Sequence, residues 1–211
     1  MAHPFYDIAF TPAVTAEQER RGSRAAYARL SGGGPGQEVL YAQARTFITA
    51  RDSFYLATVS ETGWPYVQHR GGAAGFVKVL DAATLGWAEY PGNRQYISTG
   101  NAKADGRCAM IFMDYPNQRR LKALGHLSFH DRAARPELEA MLGMDPWGRA
   151  PEHYALVRVE AVDWNCPKYI TPRFTEAEIT ASTAPLRARI AELEAQLAGC
   201  ISPTPNPKET S

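Results

Sequence analysis

Four clusters with residues suited to anion binding recur between Phe54 and His126: Gln68-His69-Arg70-Gly71-Gly72, Gly75-Phe76-Val77-Lys78, Gly92-Asn93-Arg94-Gln95 and Arg119-Arg120. A phosphate group needs fixed positive charge, and small residues let backbone N–H groups approach it. A flat aromatic ring needs a slot walled by backbone and apolar side chains. One run of short strands supplies both. That combination points to a phosphorylated planar cofactor, and flavin mononucleotide (FMN) is the first candidate.

Arg70 ends a strand pattern just before two glycines. Its guanidinium can grip phosphate oxygens in pairs, and Gly71 leaves the backbone open. The plainer alternative is a surface arginine beside a β-bulge. In Phe76-Val77-Lys78, strand alternation puts Phe76 and Lys78 on one face and Val77 on the other. A lysine sharing a face with phenylalanine suits either a charged ligand or an exposed sheet edge. Asn93-Arg94-Gln95 follows Pro91-Gly92 and opens a helical turn, whose first N–H groups are a natural phosphate site. The alternative is an ordinary turn with a solvated arginine. Arg120 begins a strand after a tight turn, while Asn165 and Lys168 flank Cys166-Pro167 at the end of the last strand.

Other chemistries find less support. His126 and His130 lie on a strand pattern, which separates them by about 13 Å, too far to chelate one metal. No Gly-x-Ser-x-Gly elbow or phosphate-binding Walker loop is present. Nothing in the sequence pairs Cys166 with a base, as a cysteine nucleophile requires.

These residues need a scaffold of short strands. Pro12 to Leu30 reads as a first helix, with a capping-box spacing at Thr15 and Gln18, and the run Gly32–Gly36 reads as a linker. Gln37 to Arg51 reads as a second helix with Leu40, Ala44, Phe47 and Ile48 on one side. The period then shortens to two. Strands are predicted over 53–60, 65–70, 75–81, 84–88, 106–115, 120–129 and 153–164, with a helical turn at 94–100 and a short helix at 136–142. From Thr175 the pattern is helical again, with Leu186, Ile190, Leu193 and Leu197 spaced as a heptad seam. That seam packs either on its own barrel or across a dimer interface. The proline-rich end after Ile201 is expected to be disordered.

The totals narrow the function. Lys and Arg number 23 against 22 Asp and Glu, a net charge of +1. A general nucleic-acid or membrane-surface binder would carry a basic excess. No run approaches the roughly 20 apolar residues of a membrane span. The N-terminal residues lack a secretory pattern, and the 3 cysteines form no framework, so a cytoplasmic protein with reduced thiols is expected.

From about Phe54 to Phe129 the chain resembles the pyridoxamine 5′-phosphate oxidase-related flavoproteins, the FMN-binding split barrels. The likeness rests on Gly63-Trp64-Pro65, Gly75-Phe76-Val77-Lys78-Val79-Leu80-Asp81, Gly92-Asn93-Arg94-Gln95 and Arg120-Leu121-Lys122-Ala123-Leu124-Gly125. The closing stretch Asp163–Tyr169 resembles one sub-branch. The resemblance implies a mainly β fold with flanking helices (α+β), built on a six-stranded antiparallel split β-barrel. The element pattern itself divides the chain into 1–52 (helices packing on the barrel), 53–174 (the barrel), 175–200 (a helix) and 201–211 (the tail). The resemblance also implies a homodimer with FMN at the subunit interface. Phe76, Val77 and Lys78 match the strand that lines the flavin and reaches its phosphate. Arg94 matches the arginine of the family's Ser-Arg-Lys phosphate turn, and Arg120 falls where a polar side chain meets the flavin.

Asn93 and Gln95 replace that turn's serine and lysine, which removes one positive charge; Arg70 is the candidate to restore it. Ala88-Glu89 replaces a Tyr-Thr pair. A helix and a proline-rich tail stand where the family oxidase has a substrate motif. The reading is therefore an FMN-dependent oxidoreductase of unassigned substrate, with a small-molecule substrate or electron donor, and these departures speak against pyridoxamine phosphate oxidation. The alternatives are a non-catalytic flavin carrier or sensor, a split barrel holding haem or deazaflavin, and a barrel used only for protein contacts.

Overall fold

The computed structural model describes residues 4–28, 39–142 and 148–200. The Gly32–Gly36 linker, the end of the first helix at Leu30 and the tail 201–211 lie outside the described residues. The chain divides into two compact units, Met1–Ile170 and Thr171–Ser211.

The first unit begins with three short helices, α1 (Pro4–Ala9), α2 (Pro12–Arg20) and α3 (Arg24–Tyr27). The single helix predicted over 12–30 is thus broken. Gly22 adopts φ 74°, and the amide of Ser23 reaches back to the carbonyl of Gln18, a glycine-terminated C-cap. Thr15 and Gln18 do not form a capping box. Pro12 starts the helix behind Thr11, and the Thr15 hydroxyl bonds the Pro12 carbonyl instead.

Helix α4 (Ala42–Thr49) buries Ala44, Phe47 and Ile48 in the main core. The strands follow: β1 (Ser53–Val59), β2 (Pro65–Gly71), β3 (Lys78–Val79), β4 (Thr84–Glu89), β5 (Arg107–Asp114), β6 (Arg119–Asp131) and β7 (His153–Trp164). Helix α5 (Ile97–Ala104) lies between β4 and β5, and α6 (Pro136–Leu142) between β6 and β7. Every strand pair is antiparallel, in the order β2-β1-β5-β6-β7-β4-β3. The fold is therefore a mainly antiparallel sheet with flanking helices. It has seven strands, as the period changes predict and one more than the resemblance implies.

The ladder does not close, yet the sheet rolls up. Arg70 of β2 and Glu89 of β4 stand five strands apart in the ladder, and their side chains meet at 2.9 Å. Phe54 anchors the inside of the roll. Its ring centroid lies 5.1 Å from that of Trp87, 5.2 Å from Phe112 and 5.8 Å from Phe76. β6 and β7 are tied closely at a register shift beside Gly125, where a Cβ would come within 2.3 Å of the Arg158 carbonyl oxygen. On the outside, Asp163 holds the Lys122 ammonium at 3.1 Å and accepts the Tyr6 hydroxyl of α1.

The second unit contains α7 (Glu176–Cys200). Its start is a reciprocal capping box: the Thr175 amide donates to the Glu178 carboxylate, and the Glu178 amide to the Thr175 hydroxyl.

Candidate functional site

β2 turns alternate residues toward a hollow of about 210 Å³ at the mouth of the roll: Tyr66, Gln68 and Arg70. Its other walls are Glu89 and Tyr90 at the end of β4, the loop Gly92–Tyr96, the first turn of α5, and Glu152 with His153 where β7 begins. Topology explains the meeting. In the register Glu89 lies opposite His153, and the rolling brings β2 across to β4.

The sheet side of the hollow is rigid. Glu89 is 8% exposed, and a bare carboxylate there would be costly. It is satisfied twice, by Arg70 Nη1 and by the indole N–H of Trp87. Arg70 is thereby fixed, while its Nε is buried with no hydrogen-bond partner. An orphaned guanidinium N–H beside a polar hollow is what an anionic group would complete.

The loop side is exposed. Arg94 and Tyr96 adopt φ 58° and 51°, the left-handed region that non-glycine residues seldom enter. Asn93 Oδ1 accepts the Gln95 amide at 3.2 Å, which shapes the turn. The helix predicted at 94–100 begins later, at Ile97, because these left-handed residues stop it from starting sooner. Tyr96 is its N-cap and no side chain caps it, and Ile97, Ser98 and Thr99 of this first turn line the hollow. The helix is held from below: Asn101 Nδ2 donates to Thr58 Oγ1 at 3.0 Å and the Ser98 hydroxyl to Gln68 Oε1 at 3.2 Å. The Tyr96 hydroxyl donates to Glu152, and that bond raises its pKa above the ordinary tyrosine value.

Of the sequence-predicted site residues, the hollow gathers Arg70, Asn93, Arg94 and Gln95. Gly71 is exposed outside it, and the amide of neighbouring Gly72 is spent on the Asp52 carbonyl. Only Lys78–Val79 of the strand predicted at 75–81 is a strand. Val77 is wholly buried in the core, Phe76 stacks on Phe54, and Lys78 pairs opposite Gly86 without lining the hollow. Arg120 and Asn165 meet at the far end of β6 and β7, and Lys168 lies exposed three residues further along the chain. The Asn165 amide bonds the Arg120 carbonyl, and Arg120 Nε is also buried without a partner.

Sequence reasoning missed Glu89 as the partner of Arg70, along with Tyr96, Glu152 and His153. A glutamate two residues after a tryptophan in an apolar strand was a usable signal, because both face the same way. Cys108 is buried, which pushes its thiol up to about 12, and Cys166 is exposed. Among the described residues, no group of three or more His, Cys, Asp or Glu could hold a metal, and no helix is long and apolar enough to cross a membrane.

Residues 40–165 match the sequence model of the family described as pyridoxamine 5′-phosphate oxidase. The chain belongs to this family. The match spans every wall of the hollow, together with Arg120 and Asn165; Lys168 and α7 lie beyond it.

Many solved structures resemble the chain in part, the following three among them. HupZ of Group A Streptococcus is 14% identical, with 64% of this chain and 99% of that one aligned at a TM-score of 0.45. An FMN-binding protein from Syntrophomonas wolfei is 15% identical, with 72% and 97% covered and a TM-score of 0.43. A pyridoxinephosphate oxidase family protein from Clostridium acetobutylicum, related to general stress protein 26 of Bacillus subtilis, is 17% identical, with 68% and 99% covered and a TM-score of 0.41. No curated protein matches the chain. Membership in the pyridoxamine 5′-phosphate oxidase family therefore rests on the sequence model.

Proposed function

We propose that this protein binds FMN and serves as a flavin-dependent oxidoreductase of the pyridoxamine 5′-phosphate oxidase family. The observation that carries the reading is the meeting of Arg70 and Arg94 over the uncapped start of α5. The phosphate of FMN would take the unpartnered Nε–H of Arg70, the charge of Arg94 and the first amides of α5. Asn93 and Gln95 would shape the turn around it. A bound flavin supplies two-electron redox chemistry, and the protein supplies binding, orientation and electrostatics.

Arg70 offers the second positive charge that the loop lacks. Glu89 holds that arginine in place before any ligand arrives, which lowers the ordering cost of binding. The hollow, at about 210 Å³, is smaller than the roughly 300 Å³ at which small-molecule sites usually begin. It suits the phosphate end of the cofactor alone. The ring would lie beyond it, and in a homodimer Arg120, Asn165 and Lys168 of a second copy would complete the site. A cation from that group beside the ring would favour the anionic reduced flavin.

The test is the protein as purified. An absorbance spectrum with flavin bands, and a released molecule with the mass of FMN, are the expected results. Haem or deazaflavin bands would overturn the cofactor assignment. A protein that binds FMN yet is reduced by no donor, NAD(P)H included, would be a carrier rather than an oxidoreductase.

A further inference from the structure

Helix α7 carries an apolar seam. Ile179, Leu186, Ile190, Leu193 and Leu197 are 48, 66, 55, 41 and 61% exposed. Leu186, Ile190, Leu193 and Leu197 follow a 4-3-4 spacing, and Ile179 lies one heptad before Leu186. With Leu186 and Leu193 at heptad position d, Ile190 and Leu197 fall at a; Ile179 takes the d one heptad earlier, with Thr183 at the a between, its hydroxyl bonded to the Ile179 carbonyl. Pro185 falls at c, outside the seam, so the backbone bond it forfeits is on the outer side.

The charges beside the seam select what covers it. Arg189 falls at g and Glu194 at e, five residues on. In two parallel helices that pair brings each arginine, which bonds Glu192 of its own helix at 2.6 Å, beside the partner helix's glutamate as well, on both sides of the seam. A β-branched residue at a with leucine at d favours two strands, and the central layers, Ile190 between Leu186 and Leu193, follow that pattern, whereas the end layers at Ile179 and Leu197 do not. A membrane surface fits poorly. The helix holds four glutamates against two arginines, whereas a helix lying on anionic lipid has a basic polar face.

We propose that α7 pairs in parallel with α7 of a second copy of this chain, forming a short two-stranded coiled coil sealed by Ile179, Leu186, Ile190, Leu193 and Leu197. The pairing does not depend on the cofactor.

The test uses the full-length protein with Cys166 and Cys200 replaced by serine and one cysteine added on α7. Leu193→Cys, at d, would oxidise readily to a disulfide-linked dimer. Ala188→Cys, at f on the outer side, would not. In the Leu193→Cys protein, Glu194→Arg slows cross-linking severalfold, and adding Arg189→Glu restores it. Failure of Leu193→Cys to cross-link, equal cross-linking of Ala188→Cys, or no effect of the charge swap would each overturn the proposal. Because α7 is exposed, circular dichroism of each variant should match that of the parent.

Discussion

The two sides of the hollow are built in opposite ways. Arg70, Glu89 and Trp87 belong to strands, and Glu89 bonds both Arg70 Nη1 and the Trp87 indole N–H within a largely buried triad that leaves only Arg70 Nε unpartnered. Asn93, Arg94 and Tyr96 sit on an exposed loop in left-handed backbone, and the bonds of Asn93 and Tyr96 are local or at the surface. A charge placed in the first wall is part of the fold. A charge placed in the second can serve binding alone. Substitutions on the two sides should therefore fail differently, even where both weaken the same ligand.

The largest effect is expected at Arg70. Arg70→Ala leaves the buried Glu89 with the Trp87 indole bond but no countercharge, which costs about 3 kcal/mol by the usual penalty for breaking a buried ion pair. Chemical denaturation should show this as a lower midpoint, and FMN affinity should fall as well. Replacing Glu89 by glutamine in the same protein should recover much of the stability while leaving affinity low. If Arg70→Ala keeps full stability, the sheet wall is not the integrated unit described.

Arg94→Ala comes next. The loss of one charged contact to phosphate should weaken FMN about tenfold, with the melting temperature unchanged. A drop in melting temperature as large as that of Arg70→Ala would erase the distinction between the walls.

The sheet side was partly legible in the sequence and the loop side largely so. Arg94 stood in a recognisable turn, because Pro91-Gly92-Asn93 announces one and Asn93 caps its own loop locally. Arg70 was legible as a cation beside two glycines. Its partner was not, since Glu89 reaches it only when a seven-stranded ladder rolls up, and no local pattern reports that closure. The strands β5, β6 and β7 and the helix α6 follow their periodicities closely. The stretch Gly75–Asp81 does not. There tertiary packing overrides alternation, with Val77 in the core and Phe76 stacked on Phe54. Lys78, which the resemblance matches to the strand that reaches the phosphate, does not line the hollow.

Core and surface also separate the thiols. Cys166 should react with Ellman's reagent in the native protein within minutes. Cys108, whose thiol is pushed up to about 12, should react only after unfolding. Fast modification of two thiols without Cys200 present would contradict the packing of β5.

The smallest effect is expected at Tyr96. Tyr96→Phe removes the exposed bond to Glu152 and should shift stability by no more than about 0.5 kcal/mol in denaturant titrations. A larger loss would mean that the loop wall is as structural as the sheet wall.

The central claim is that the hollow receives a phosphate. Titrating the apoprotein with FMN and with riboflavin, followed by quenching of flavin fluorescence, tests it directly because the two differ only in that group. FMN should bind about a hundredfold more tightly, from two or more charge-assisted contacts, and Arg94→Ala should reduce that preference. Equal affinity for FMN and riboflavin would contradict the account.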